Sequence, residues 1–423
     1  MSSFLHCEIG TCFLCIIGVD EVIYCRFPYY LGNVVDMKKF RSESIENPPI
    51  VSLWNEIRKL NRNDLIDLGQ GISKITPSEQ VLNELRQILS DPKVHRYSKD
   101  PGLPELREKL SEKLYRDIGV KYEPETEIIL TAGANQGFMT AMLSILNVGE
   151  DVLIPTPYYF NQKMGIRFAD GNVIDIPVNP DTFEPDISAI ESKITEKTHI
   201  LVLVTPNNPT GAVYSNDILK QIAEISEKYD LIVFSDETYR DFTYDMHFSS
   251  IASIKGMKDR TIVLGSFSKV YGLAGWRIGY LATDNEIMHE IMKGQDTVAI
   301  CAPVISQYAA LFSINYMGDI VHSERDNLNR VRKKMYSILQ ETPNLEIVEP
   351  KGAFYFFPRV SYNTNSEKLV LDIVKRVGVV TLPGSVFGKA GENHFRLSYG
   401  PLSEERAIEA AERIKKYFES VDN

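Results

Sequence analysis

Within residues 266–280, SFSKVYGLAGWRIGY, an amine, a guanidinium and two hydroxyls stand close together. Lys269 follows residues 261–265, an apolar run that reads as a buried strand. Gly272, Gly275 and Gly279 come after it, so backbone can approach a bound group, and burial at a strand end lowers an amine's pKa. An amine of that kind is a nucleophile toward a carbonyl carbon. Ser266, Ser268 and Arg277 add donors that suit a phosphate. Together they match what a phosphorylated carbonyl cofactor requires. The plainer alternative is a solvated turn lysine; the length of the pattern SxSKxxxxxGxRxG, and complementary groups on four other segments, weigh against it.

Strands must carry these groups. Residues 127–130, 151–154, 172–177, 198–204 and 231–234 are further β-rich runs. Four of them open into turns with chemistry: TAGANQG, PTPYYFNQ, PNNPTG and SDETY. The first is a strand-turn-helix whose free N–H groups suit a phosphate. In the last, Asp236 sits at the end of a buried strand, where a carboxylate is poorly solvated and wants a cationic partner. Helical patterns separate the strands: residues 216–228, and a helix with Pro104 in its first turn and Leu106, Leu110, Leu114 and Ile118 on one face. This alternation predicts an α/β domain with a largely parallel sheet and active groups at strand ends. A long helical stretch, residues 304–340, then leads to GAFYFFP, TLPGSVFG and HFRLSYG in a smaller C-terminal domain. Its last helix begins after Ser403, with Ala407, Ala411, Ile414, Phe418 and Val421 as the buried stripe.

At 423 residues, 43% hydrophobic and 24% charged, the chain is long enough for two globular domains. A net charge of -11 and a pI near 5.3 offer no field for nucleic acid or anionic lipid, so a small-molecule partner is favoured. No apolar run reaches membrane-spanning length. Cys7, Cys12, Cys15 and Cys25 crowd the N-terminus and leave only Cys301 elsewhere, which argues against a disulfide scaffold. Their spacing matches the start of an iron–sulfur pattern, but the surroundings are apolar, and no metal is expected. No Lys or Arg precedes the short apolar run at residues 11–19, which weakens a secretory signal. A transcription regulator would need a basic helix-turn-helix domain at the N-terminus, and residues 1–50 are too short, apolar and acidic for one.

From Asp67 to the C-terminus the chain resembles the pyridoxal-phosphate-dependent aminotransferases of class I/II, of fold type I, around aspartate aminotransferase. The resemblance rests on the Lys269 motif, NNPTG, SDETY, the TxG turn and HFRLSYG. It implies a large domain with a mostly parallel seven-stranded sheet flanked by helices, and a smaller α+β domain. It implies that Lys269 holds the cofactor covalently and shuttles the proton from the substrate Cα. Asp236 keeps the ring nitrogen protonated, and Tyr239 and Asn208 meet the ring's 3′-oxygen. Ser266, Arg277, Gly133, Ala134 and Asn135 serve the phosphate. Tyr159, in preference to Tyr158, stacks on the ring. Arg396 clamps the substrate carboxylate with its planar fork. Gly71 lies near that carboxylate, although Ile72-Ser73-Lys74 follows where many members have Pro-Asp-Phe, and Lys74 is expected to be solvated. Tyr97, in Y-x4-G-x3-LR ending at Arg107, reaches the neighbouring subunit's phosphate, which implies a homodimer with shared sites.

The implied activity is ping-pong transfer of an α-amino group from an L-amino acid to a 2-oxo acid, in the cytoplasm. The alternative is elimination or ring closure on the same site, as in carbon–sulfur lyases and aminocyclopropane-carboxylate synthases, of which PTPYY is reminiscent. Residues 1–36 read as an extension of uncertain origin, since Met37 opens a hydrophilic start. Residues 37–95 are expected to be an N-terminal arm and part of the small domain, 96–329 the large domain and 330–423 the C-terminal small domain.

Overall fold

Thr198–Val204 shows how the central sheet is built. Ile200 and Val202 pack into one apolar cluster, Leu201 and Leu203 into another, and all four are fully buried. A strand apolar on both faces needs cover on both. Helices Ala134–Ile145 and Asn285–Ala299 cover the first face through Phe138, Met142, Met288 and Ile291. Ile187–Lys193 and Asn216–Lys228 cover the second through Ile190, Leu219 and Ile222. Each Leu or Ile so buried contributes roughly 2 kcal/mol of transfer free energy.

This computed structural model describes residues 40–46, 49–60 and 62–421. Residues 1–36, with Cys7, Cys12, Cys15 and Cys25, and the expected start at Met37 lie outside the described residues. The sheet belongs to the unit Ser44–Asn423. Its strands are β1 (Ile128–Thr131), β2 (Asp151–Pro155), β3 (Asn172–Ile176), β4 (Thr198–Val204), β5 (Ile232–Asp236), β6 (Thr261–Ser266) and β7 (Gly279–Ala282), in the order β1-β7-β6-β5-β4-β2-β3. From β3 through β6 all pairings are parallel, and only β7 runs against its neighbours β6 and β1. The mostly parallel seven-stranded sheet expected from the resemblance is therefore present.

Beyond the sheet, the three C-terminal motifs come together. Tyr355–Phe356 pairs antiparallel with Phe395–Ser398, which pairs in turn with Leu382–Pro383. Ile66–Asp67, far away in sequence, pairs parallel with Val379–Val380. Residues 304–340 divide into Val304–Tyr316 and Gly318–Leu339, which meet at the buried Met317. The last helix, Glu404–Val421, buries Ala407, Ala411, Ile414 and Phe418 as expected. Val421 departs from that stripe: it ends the helix and is 40% exposed. Among the described residues no helix is long and apolar enough to cross a membrane, and no group of His, Cys, Asp and Glu could hold a metal ion.

Candidate active site

The ends of the strands deliver the reactive groups to one cleft of about 370 Å³. Asp236 is the last residue of β5 and Ser266 the last of β6. The short helix Phe267–Val270 continues β6 and carries Lys269, capped by Ser266, whose Oγ accepts from the Ser268 N–H at 3.1 Å. Asn208 follows β4, Tyr159 follows β2, and Gly133 follows β1 at the start of helix Ala134–Ile145. Arg396 arrives from the C-terminal strand Phe395–Ser398. A neighbouring cavity of about 390 Å³, between Leu53, Lys163 and Leu371, shares the Phe160 wall, but the groups named here face the first cleft.

Lys269 is held ready as a nucleophile. Burial, with the positive charges of Arg396 and Arg277, lowers its amine to about 8, against a partial pull upward from Asp236. Its Nζ donates to the Gly71 carbonyl, which ties the loop at Gly71 to the lysine. Lys74, three residues further on, is exposed and pairs at 3.5 Å with the nearly buried Glu324.

Asp236 is 8% exposed, and burial raises its carboxyl above the usual range. Its partners are neutral donors: the Thr238 N–H at 3.1 Å and the Gln162 side-chain amide at 2.8 Å. These hold the carboxylate in place without cancelling its charge. It remains able to hold a proton on a cationic ring nitrogen.

A cradle of backbone N–H groups lies where Gly133 caps the helix that Ala134 begins. Gly133 has φ 84, and a Cβ there would fall 2.3 Å from the Arg277 Nη2. Glycine thus lets the guanidinium close over free helix N–H groups, where the dipole favours an anion. Arg277 has φ 54, which disfavours a non-glycine residue by roughly 1–2 kcal/mol, and its Nη1 donates to the Ala274 carbonyl at 2.8 Å.

Arg396 is 2% exposed. Its Nη1 donates to the Asn208 side chain at 2.9 Å and its Nη2 to the Gly69 carbonyl at 2.5 Å. The guanidinium lies 4.7 Å from the Tyr355 ring centroid and 5.2 Å from that of Phe387. Its Nε is buried with no hydrogen-bond partner among the described residues. A buried donor left so is disfavoured, and a carboxylate would satisfy it.

The two adjacent tyrosines separate cleanly. Tyr159 lines the cleft, its hydroxyl accepting from Asn161 at 2.7 Å and lying near Asn135. Tyr158 is buried in the core beside the sheet. Tyr239 also lines the cleft, with its hydroxyl 2.6 Å from that of Tyr355. Of the expected side chains Tyr97 stays apart: it is 76% exposed and does not line its own chain's cleft. Arg107 is fully buried and donates to the carbonyls of Gly102 and Pro124, so its place is structural.

Gln162 and Tyr355 escaped the sequence reading. Gln162 stands three residues after Tyr159 on Phe160–Phe168, one helical turn on, which is a spacing that could have pointed to it. Tyr355 pairs with Ser398, and side chains at 398 and 396 share one face of their strand, so the register brings its phenol to Arg396.

The family model for aminotransferases of class I and II matches residues 63–414. Aspartate aminotransferase of Pyrococcus abyssi is 36% identical over 373 residues, which span 86% of this chain and 95% of that protein. Aromatic-amino-acid aminotransferase 2 of Thermococcus litoralis is 35% identical over 372 residues, with the same 86% and 95%. The crystal structure of an aromatic aminotransferase from Pyrococcus horikoshii matches with a TM-score of 0.81 at 35% identity, covering 88% of this chain and 99% of that one. The family model's match spans Lys269, Asp236 and Arg396, and on it and these relatives the chain belongs to the class I and II aminotransferases, fold type I enzymes that transfer amino groups.

Proposed function

We propose that the cleft binds pyridoxal 5′-phosphate and passes the α-amino group of a neutral, preferentially aromatic L-amino acid to a 2-oxo acid. One observation carries the reading: Lys269, Asp236, Arg277 and Arg396 line a single cleft, and none has an ion-pair partner among the described residues. Uncompensated charge at the buried Asp236 and Arg396 is disfavoured unless a ligand completes it, and the exposed Arg277 guanidinium is held at the same cleft by the Ala274 carbonyl. The cofactor fits what stands there. Ser266, Arg277 and the N–H groups at Gly133, Ala134 and Asn135 would hold its phosphate, Asp236 its ring nitrogen, Tyr159 its ring face, and Asn208 and Tyr239 its ring oxygen. Gly71 and Arg396 would meet the substrate carboxylate.

When bound, the cofactor supplies an electron-poor ring conjugated to a carbonyl carbon. The chain's own residues do the rest. Lys269, with its amine poised near neutrality, takes the proton from the substrate's Cα. Arg396 orients the carboxylate so that this proton faces the amine. Asp236 holds a proton on the ring nitrogen, and Tyr239 donates from a site that excludes water.

Ile72, Phe160 and Tyr355 form much of the remaining wall, which favours a flat apolar side chain. The relatives bear aminotransferase names, and the eliminating or ring-closing alternative draws no support from them. Holoenzyme offered phenylalanine, tyrosine or aspartate with 2-oxoglutarate should show kcat/KM for the aromatics higher by roughly tenfold or more, the scale of an apolar pocket's discrimination. Preference for aspartate would overturn the substrate reading. Continuous product from one amino acid, without any oxo acid, would establish elimination instead.

The finer organisation belongs to the same proposal. We read residues 96–329 as the large domain and 330–423, with part of 37–95, as the small one; the pairing of Ile66–Asp67 with Val379–Val380 supports that join. Tyr97, exposed as it is, suits completion of a neighbour's phosphate site in a homodimer. The buried free thiol of Cys301 suits a reducing cytoplasm.

A further inference from the structure

One phenol that no motif singles out touches three of the functional groups. The Tyr355 hydroxyl lies 2.6 Å from that of Tyr239, and the two rings meet edge to face with centroids 5.5 Å apart. The Arg396 guanidinium lies 4.7 Å from the Tyr355 ring centroid. The hydroxyl also abuts the backbone of Gly71, where a Cβ would fall 2.3 Å from it, and the Gly71 carbonyl is the acceptor for Lys269. Tyr355 is fully buried and Tyr239 nearly so, which leaves little water to compete for their hydrogens.

The hydrogens can be counted. Each phenol carries one, and one hydrogen bond joins the two oxygens. If Tyr239 donates to Tyr355, nothing is left for a ligand in the cleft. If Tyr355 donates, the Tyr239 hydrogen is free to point there. The guanidinium at the face of Tyr355 favours the second arrangement, because a nearby cation makes a phenol the stronger donor. Resting on the cofactor reading above, we propose that Tyr355 is a positioning residue that donates to Tyr239 and so turns the Tyr239 hydrogen toward the cofactor's ring oxygen, linking that oxygen to the Arg396 site. Burial raises both phenols, Tyr355 to about 12 and Tyr239 well above its usual value; Arg396 offsets part of the rise, while Asp236 and Tyr159 add to it for Tyr355. Both are therefore protonated at neutral pH.

The test compares Tyr355→Phe, Tyr239→Phe and the double variant as holoenzymes, each checked for cofactor content and thermal midpoint. In Tyr355→Phe without substrate, Tyr239 keeps its hydrogen for the ring oxygen but loses the bond that polarises it, so the pH midpoint of the bound cofactor's visible absorption should rise by roughly 0.2–0.4 pH unit, a fraction of one hydrogen bond. Its kcat should fall roughly two- to threefold, with KM for the amino donor essentially unchanged. Adding Tyr355→Phe to Tyr239→Phe should move the midpoint no further. A phenol of lower pKa at the same place, 3-fluorotyrosine at 355, should shift the midpoint downward, and it serves equally if Tyr355→Phe does not fold. An unmoved midpoint with only KM raised would make Tyr355 a plain wall of the cleft and overturn the proposal, as would additive shifts in the double variant. Wild-type protein that gains no visible band with pyridoxal phosphate would overturn the cofactor reading itself, and this proposal with it.

Discussion

Asp236 and Glu237 are consecutive and both buried, yet they face two differently made regions. On the side of Glu237, charges and donors are matched. Its carboxylate accepts from Ser250 at 2.5 Å and Ser235 at 3.1 Å, and Arg240 stands at 3.3 Å. Arg240 also donates to the Tyr280 hydroxyl, and nearby Lys113 bridges Asp117 at 2.5 Å and Asp241 at 2.7 Å. On the side of Asp236, Lys269, Arg277 and Arg396 meet only neutral partners, and one guanidinium nitrogen has none. The carboxylates differ with their neighbours. Burial would raise Asp241, but Lys113 and Arg240 outweigh it and hold it below the usual range, whereas Asp236 stays raised, as does Glu237, where burial outweighs Arg240 and the serine donors. A completed set of buried charges fastens the chain; an incomplete one waits for a ligand and gives up stability to do so.

If that contrast is right, removing charge should act on chemistry in one region and on stability in the other. The largest effect is expected for Lys269→Ala, which should lower amino-group transfer by roughly 10³-fold or more while the cofactor-free protein melts no lower than wild type. Stopped-flow half-reactions and thermal scans measure both quantities.

Next comes the consecutive pair. Asp236→Asn should reduce kcat by roughly 10²–10³-fold, because the ring nitrogen loses its counter-charge. It should leave the cofactor-free protein as stable or more stable, since a buried carboxylate without a cation is gone. Glu237→Gln should do the opposite, keeping kcat within about threefold but destabilising the fold by about 3 kcal/mol, as expected when one partner of a buried pair is removed. Exchange of the two outcomes in denaturant titrations and initial rates would dissolve the distinction.

The cleft was more legible in the sequence than the matched network, for a physical reason. The cleft groups sit at strand ends in short turns, so Asp236, Ser266 and Lys269 were marked by their own surroundings, while Gly133 and Asn208 were marked by the resemblance of their turns. The network joins residues by tertiary placement: Lys113 and Asp241 are 128 positions apart, and no local spacing relates them. Tyr355 and Gln162 were hidden in the same way, one by strand register and the other by a helical turn. The sheet was readable because its strands are apolar on both faces. The exposed end of the last helix at Val421 was not, because a periodic stripe does not say where its cover stops.

The smallest and sharpest comparison is between two buried lysines. Lys269 is lowered from 10.5 to about 8, first by burial and then by Arg396 and Arg277. Lys113 is also pushed down by burial, but Asp241 and Asp117 reverse that and leave it raised. The signs for stability are therefore opposite. Between about 8 and 10.5 the unfolded chain carries a proton that folded Lys269 has lost, so this group destabilises the fold at low pH and relents as pH rises through that window. Lys113 contributes stability that is fully present below the unfolded value of 10.5 and is lost as pH rises through its higher folded value. In cofactor-free protein with 13Cε-labelled lysine, one NMR signal should titrate near pH 8 and vanish in Lys269→Ala, and the Lys113 signal should stay unmoved to beyond 10.5. A Lys269 signal titrating with the surface lysines would mean that the cleft does not hold its charges apart, and the contrast with the network would lose its electrostatic basis.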